Sequence, residues 1–249
     1  MRQRRVKGID EKLAAYADLI LSSGASDYSS VELHDEVKKK AGEGYPSVQL
    51  LPSGRPVRWY QRSSPRYTLP VGYERTYVEF GCGCGRFINE MADKDLKALY
   101  IGVEGCKTVV VKALAKTRAA GFVNIRYIDA FINDAGAAFE ESSLDGVFLN
   151  FSDPWPKERH AGRRLTAPEK AGVYLRILKP GGIAVFKTDS EEFFHFSVAS
   201  FIGAGFKIVD LSNEVADRAV STPTEYELRF RSLGQPIYHF KALKYVEIP

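Results

Sequence analysis

The stretch Tyr77-Val-Glu79-Phe-Gly81-Cys-Gly83-Cys-Gly85-Arg86 decides the fold. Its first four residues form a short run rich in bulky apolar side chains, the composition of a strand covered on both faces. Three glycines on alternate positions follow at once. They let the chain turn through backbone conformations closed to other residues, and they let a ligand lie against bare main chain. A dinucleotide-binding turn places its third glycine one position later, where Arg86 stands, so the spacing counts against a nicotinamide cofactor.

Outward from this turn the same pattern repeats. Residues 99–103, 125–128, 146–151 and 183–188 are further runs of this kind, each short and rich in Val, Ile, Phe and Tyr. Between them the spacing predicts helices over 108–120, 167–178 and 191–204, ended by Gly121, by Lys179-Pro-Gly-Gly and by Gly205. Glycine just past the last periodic residue accepts the left-handed conformation with which helices stop. Strand and helix in alternation predict an α/β fold, a doubly wound and mostly parallel sheet.

Residues 1–71 read as an N-terminal extension to a domain over 72–249. The extension opens on Arg2, Arg4, Arg5 and Lys7, continues with helical spacing over 10–23 and 31–41, and ends in a connection holding Pro46, Pro52, Pro56, Pro65 and Pro70. The basic tail is either a solubilising end or an arm that follows nucleic-acid backbone. Asp10-Glu11-Lys12 stand where the apolar segment of a signal peptide would begin, and no run nears the ~20 apolar residues that span a bilayer. Lys and Arg number 35 against 31 Asp and Glu, and the net charge of +4 is too weak to select a polyanionic partner by itself. Hydrophobic residues make up 45% of the 249, enough for one sizeable core. Three cysteines, an odd number, argue against a disulfide framework and for a reducing, cytoplasmic setting.

In a doubly wound sheet the ligand lies beyond the carboxyl ends of the strands, near the switch in strand order. The residues that follow each run are therefore the ones that carry chemistry. Glu104 stands 19 residues past Gly85, a spacing that suits an acid accepting hydrogen bonds from both hydroxyls of a ribose; a carboxylate favoured by a helix dipole is the plainer alternative. Asp129 either meets an adenine amino group or caps a helix. A glycine turn and two successive strand-end acids describe a pocket for an adenosine with an unphosphorylated sugar. S-adenosylmethionine is such a ligand, and its sulfonium accounts for a loop without a phosphate-binding lysine.

The fourth run leads into Asn150-Phe-Ser-Asp153-Pro-Trp155-Pro-Lys157-Glu-Arg159-His160-Ala-Gly-Arg163-Arg164-Leu165. Prolines on both sides of Trp155 restrict the backbone and hold Asp153 and Trp155 at the mouth of the site. Lys157, Arg159, Arg163 and Arg164 against Glu158 give a local charge of +3, a patch suited to phosphates. Trp155 either stacks on a base or is a packed, half-buried side chain.

Here the chain resembles the bacterial tRNA (guanine-N7)-methyltransferases, Rossmann-like class I enzymes dependent on S-adenosylmethionine. The likeness rests on the glycine turn, on Tyr100-Ile-Gly-Val-Glu104, on the Asp153-Pro-Trp-Pro-Lys157 loop with its Arg-His and Arg-Arg tail, on Phe186-Lys-Thr-Asp189, and on Thr224-Glu225-Tyr226-Glu227 with Gly234-Gln-Pro-Ile-Tyr238. It covers roughly 72–243. The resemblance implies a mostly parallel sheet with an antiparallel C-terminal strand, and methylation of N7 on guanine 46, in the tRNA variable loop. It implies that Glu79, Glu104, Asp129 and Asp153 line the cofactor pocket beside Gly81, Gly83 and Gly85, with Asp153 catalytic. It further implies that Lys157, Asp189, Thr224, Glu225, Tyr226 and Glu227 contact the substrate, and that Arg159, His160, Arg163 and Arg164 meet RNA. Glu158 and Ala161-Gly162 depart from the family pattern and lower the charge of the RNA loop.

Thr224 and Glu227, three residues apart, also form a capping box for a helix that Gly234 would close; a strand with Tyr226, Leu228 and Phe230 aligned is the alternative. Cys82, Cys84 and Cys106 lack a fourth ligand for zinc and read as small residues in a tight turn, so no metal is expected. His34, His195 and His239 carry no pattern. The chain is expected to act as a monomer or homodimer. Competing readings are a methyltransferase directed at an exocyclic amino group, a nicotinamide dehydrogenase, and a catalytically silent RNA-binding module, which would have no reason to keep Glu104 and Asp129 at strand ends.

Overall fold

Every residue of the strand β2 (Ala98–Val103) is buried. Leu99, Ile101 and Val103 pack into one apolar cluster, and Ala98 and Tyr100 into another on the opposite face. Its neighbour β1 (Arg75–Phe80) divides in the same way, with Val78 and Phe80 on one side and Tyr77 on the other. Successive side chains of a strand point to opposite faces, so continuous apolar runs require cover on both.

The computed structural model describes residues 8–21, 69–131, 139–212, 224, 227, 230 and 232–245. Within them β3 (Ile125–Ile128), β4 (Leu144–Asn150), β5 (Leu178–Thr188), β6 (Lys207–Ser212) and β7 (Tyr238–Leu243) complete a sheet in the order β3-β2-β1-β4-β5-β7-β6. The first five strands pair in parallel, and β7 runs antiparallel between β5 and β6. The order reverses between β1 and β4, which makes their carboxyl ends the place for a ligand.

Helix α1 (Ile9–Ala14) lies at the N-terminus; α2 (Arg86–Lys94) and α3 (Lys107–Ala120) follow β1 and β2; α4 (Pro168–Ile177) and α5 (Glu191–Gly203) flank β5. The helix expected over 10–23 stops early. After a 3₁₀ turn at Ala17–Leu19 the chain becomes extended at Ile20, which bridges Tyr127, and the Leu21 N–H donates to the Tyr127 carbonyl at 2.8 Å. Burying Leu13, Leu19 and Leu21 and satisfying the open edge of β3 outweighs continuing the helix. Residues 8–21 thus pack onto the sheet, with Lys107 paired to Asp10 at 2.7 Å and Arg118 to Asp18.

β5 begins at Leu178, five residues before the expected 183, because Lys179-Pro-Gly-Gly is drawn onto the sheet: the Gly181 N–H, at a left-handed φ of 77°, donates to the Lys244 carbonyl, and the Lys244 N–H donates to that of Gly182. The edge strand β6, with a largely exposed pattern, and the helix α2 had not been singled out from the sequence. Arg2, Arg4, Arg5, Lys7, His34, the helix expected over 31–41, the prolines from Pro46 to Pro65, Glu225 and Tyr226 lie outside the described residues.

Candidate active site

Gly81, Gly83 and Gly85 all take left-handed backbone, with φ of 76°, 55° and 75°. The turn they make is tied down: the Gly81 and Cys82 N–H groups donate to the Val103 carbonyl, and Gly85 N–H to that of Cys82. The glycines differ in what surrounds them. A Cβ on Gly83 would meet nothing within 4 Å, whereas one on Gly85 would lie 2.8 Å from both the Ala113 Cβ and the Tyr127 hydroxyl. Gly85 permits α2 to pack closely, and Gly83 leaves backbone bare toward a cavity of about 620 Å³.

That cavity sits where the strand order reverses. Its lining includes Glu79, Gly81, Gly83, Glu104, Asn150, Asp153 and Trp155. Glu79 is 3% exposed. Its Oε1 accepts from Asn150 Nδ2 at 2.9 Å, while Oε2 has no hydrogen-bond partner among the described residues. Burial pushes the Glu79 carboxyl from its ordinary 4.5 up to about 8, against the pull of the Asn150 hydrogen bond, with nearby Glu104 adding to the rise and Lys187 opposing it. The Glu104 carboxylate accepts from the Gly83 N–H at 3.2 Å and the Cys106 N–H at 2.8 Å, one on each oxygen. Burial raises it too, the two backbone donors lower it, and Asp129 and Asp153 raise it further. Asp129 is half-buried and raised chiefly by burial, with Lys107 pulling it down. It does not itself line the cavity; Ala130 and the 65% exposed Phe131, next in sequence, do.

Asp153 is exposed at the mouth, and Trp155 is half-buried. The Arg163 guanidinium lies over the Trp155 ring at 5.0 Å, and His160 meets the ring edge-on. Lys157 and Arg159 face outward on the same loop. Arg164 departs from the expected RNA face: it is 6% exposed, its side chain turned into the protein. Thr224 lines the cavity, and its hydroxyl accepts the Glu227 backbone N–H at 3.0 Å, the capping bond anticipated for a helix; residues 227, 230 and 232 are helical. Glu227 is wholly buried and pairs with Lys187 at 2.8 Å, and Asp189 is exposed beyond β5, outside the cavity lining.

Sequence reasoning passed over Asn150 and Lys170. Asn150 could have been found as the last residue of β4. Nothing in the sequence marked Lys170, a buried residue of α4 whose ammonium donates to the Gly162 and Arg164 carbonyls. Cys82, Cys84 and Cys106 are free thiols. No group of three His, Cys, Asp or Glu among the described residues could hold a metal ion.

The donor set suits an adenosyl sulfonium. An acid with an open oxygen, a second acid anchored by the glycine turn and a bare stretch of backbone share one cavity, and the cation that ends the turn, Arg86, is paired with Glu90 at 2.8 Å. Comparison with known proteins agrees. A family model described as "Putative methyltransferase" matches residues 74–240. A tRNA (guanine-N(7)-)-methyltransferase of Geobacillus kaustophilus is 36% identical over 68% of this chain and 78% of its own length. One from Streptococcus sanguinis is 39% identical over 80% of this chain and 92% of its own. Among solved structures, a 16S rRNA methyltransferase covers 69% of this chain and 88% of its own, with a TM-score of 0.54 at 15% identity, a likeness of fold.

Proposed function

The chain belongs to the tRNA (guanine-N7)-methyltransferase family, and we infer that it transfers a methyl group from S-adenosylmethionine to N7 of a tRNA guanine, that at position 46. One observation carries the reading. Glu79 on β1, Glu104 after β2 and Asp153 after β4 converge with the glycine turn on one cavity, although 74 residues of sequence separate the first from the last.

When bound, S-adenosylmethionine supplies an electrophilic methyl group on a sulfonium. Glu79, with an oxygen that no described residue satisfies, suits the cationic end of such a molecule, whose charge would draw the raised carboxyl back toward its ionised form. Glu104 keeps lone pairs beyond its two backbone bonds, enough to accept from ribose hydroxyls. Asp129, with Ala130 and Phe131, is assigned to the base.

Guanine N7 has a lone pair in the neutral base, so the chain needs no group to remove a proton. Its contribution is placement, which is worth up to ~7–11 kcal/mol of barrier. Methylation leaves the ring cationic, and the Asp153 carboxylate at the cavity mouth is assigned to stabilise that charge. Lys157, Asp189, Thr224, Glu225 and Tyr226 are assigned to the substrate side, and Arg159, His160 and Arg163 to RNA, while Glu227, wholly buried against Lys187, supports its segment from within the protein. The chain is assigned as a monomer or homodimer, and tRNA as substrate fits a reaction in the cytoplasm.

The test is incubation with unmodified tRNA and methyl-labelled S-adenosylmethionine, then digestion to nucleosides. Label in 7-methylguanosine is the expected result, and label in any other nucleoside, or none, refutes the reading. Calorimetry adds a check, since S-adenosylmethionine should bind and NAD should not.

A further inference from the structure

The loop that carries Asp153 holds its shape against local preference. Phe151 and Trp155 have φ of 49° and 41°, left-handed values that residues with a side chain seldom adopt. Trp155 also precedes Pro156, and the residue before a proline is driven toward extended backbone. Such a conformation persists only where the surroundings over-determine it.

At Phe151 the backbone N–H donates to the Lys187 carbonyl at 2.8 Å, whereas the carbonyls of Pro154 and Trp155 are both held by one side chain. Arg164 Nε donates to the Pro154 carbonyl at 2.9 Å, and Nη2 donates to the Trp155 carbonyl at 3.2 Å. The planar fork grips two successive carbonyls, a geometry that lysine cannot reproduce. The fork is itself fixed. Its guanidinium lies 4.2 Å from the ring centroid of Phe196 and 5.8 Å from that of Phe193, both on α5, and the Arg164 carbonyl accepts from Lys170 Nζ at 2.9 Å. Asp153 is the residue before the first gripped carbonyl. Arg163, one position earlier, lies on the outer side of the same tryptophan and stays exposed.

We propose that Arg164 is a positioning residue for methyl transfer, its buried guanidinium setting the Pro154-Trp155 backbone and through it the placement of Asp153 and Trp155 at the cavity mouth. The role rests on the methyltransferase reading above. It also reassigns a cation that the charge pattern of the loop had given to RNA.

The experiment uses the full chain, Arg164→Met, Arg164→Lys and, for contrast, Arg163→Met. It measures kcat at saturating tRNA and S-adenosylmethionine, cofactor affinity by calorimetry, and tRNA affinity across a salt series. Arg164→Met should lose about 100-fold in kcat, the scale of a ~1 Å misplacement, with cofactor affinity within twofold of the parent and an unchanged salt slope. Arg164→Lys, able to keep one bond, should recover part of that loss. Arg163→Met should leave a slope shallower by about one phosphate contact. Parent-level kcat in Arg164→Met overturns the proposal, as does a shallower slope like that of Arg163→Met. So does a loss of cofactor binding and melting temperature in proportion to the rate. Should the Met variant not fold, Arg164→Lys decides: a reduced rate at parent cofactor affinity supports the role, and a parent rate refutes it. An inactive parent chain sinks the methyltransferase reading itself, and this role with it.

Discussion

Replacing Gly85 and Gly83 separately by alanine should divide the glycine turn into a folding half and a binding half. At Gly85 the new Cβ falls 2.8 Å from the Ala113 Cβ and the Tyr127 hydroxyl and 3.1 Å from Asn89 Nδ2. None of these yields easily. The Tyr127 hydroxyl is held by Thr117 at 2.8 Å and Asn89 at 3.3 Å, and Thr117 in turn donates to Asn89 at 2.8 Å. A left-handed residue with a Cβ costs roughly 1–2 kcal/mol, and an overpacked core typically ~1–3 kcal/mol. Gly85→Ala should therefore lose about 3 kcal/mol, or roughly 6–12 °C in melting temperature for a chain of this size. At Gly83 the backbone term stands alone, about 1 kcal/mol and a few degrees, but the methyl group enters the cavity, and S-adenosylmethionine affinity should fall on the order of tenfold or more, ~1.4 kcal/mol per decade. Thermal denaturation of the two variants and calorimetric titration with S-adenosylmethionine separate the effects. Gly83→Ala that melts as low as Gly85→Ala while binding like the parent would show that the bare backbone does not face the ligand.

Three further outcomes are expected. Asp153→Asn and Asp153→Ala should both lose most of kcat, on the order of 100-fold, if the carboxylate charge matters; near-parent turnover by the Asn form reduces Asp153 to a positioning role. Glu79 keeps its proton when folded up to about pH 8 but releases it near the ordinary 4.5 when unfolded, so folding stability from this group is present below pH 4.5 and is lost as pH rises through that window, at about 1.4 kcal/mol per unit. Glu79→Gln should flatten that part of a denaturant-derived stability profile, and an unchanged slope refutes the assignment. Lys187→Met and Glu227→Gln, made singly and together, should give a coupling energy of about 1–3 kcal/mol by urea unfolding, because both partners are 3% exposed or less; additive losses would mean the pair contributes packing alone.

The strand runs, the glycine turn, the class of the fold and the resemblance to a family were legible in residue order alone, because these are local matters of side-chain period and backbone freedom. Glu104 and Asp129 each follow an apolar run directly and Asp153 comes two residues after one, so all three were legible near strand ends. Which way side chains face depends on the folded chain. Arg163 and Arg164 are adjacent cations in one charged loop, indistinguishable by composition, yet one lies outside Trp155 and the other is buried beneath it, because α5 supplies two aromatic rings and two carbonyls need a donor. Glu227, read as a substrate contact, is sealed against Lys187 by a pairing across 40 residues. The early end of α1 and the early start of β5 follow from partners distant in sequence, Tyr127 and Lys244, which no local window contains. Local pattern fixes what a segment is able to be; the hydrogen-bond partners and apolar surfaces that the rest of the chain brings to it fix what it is.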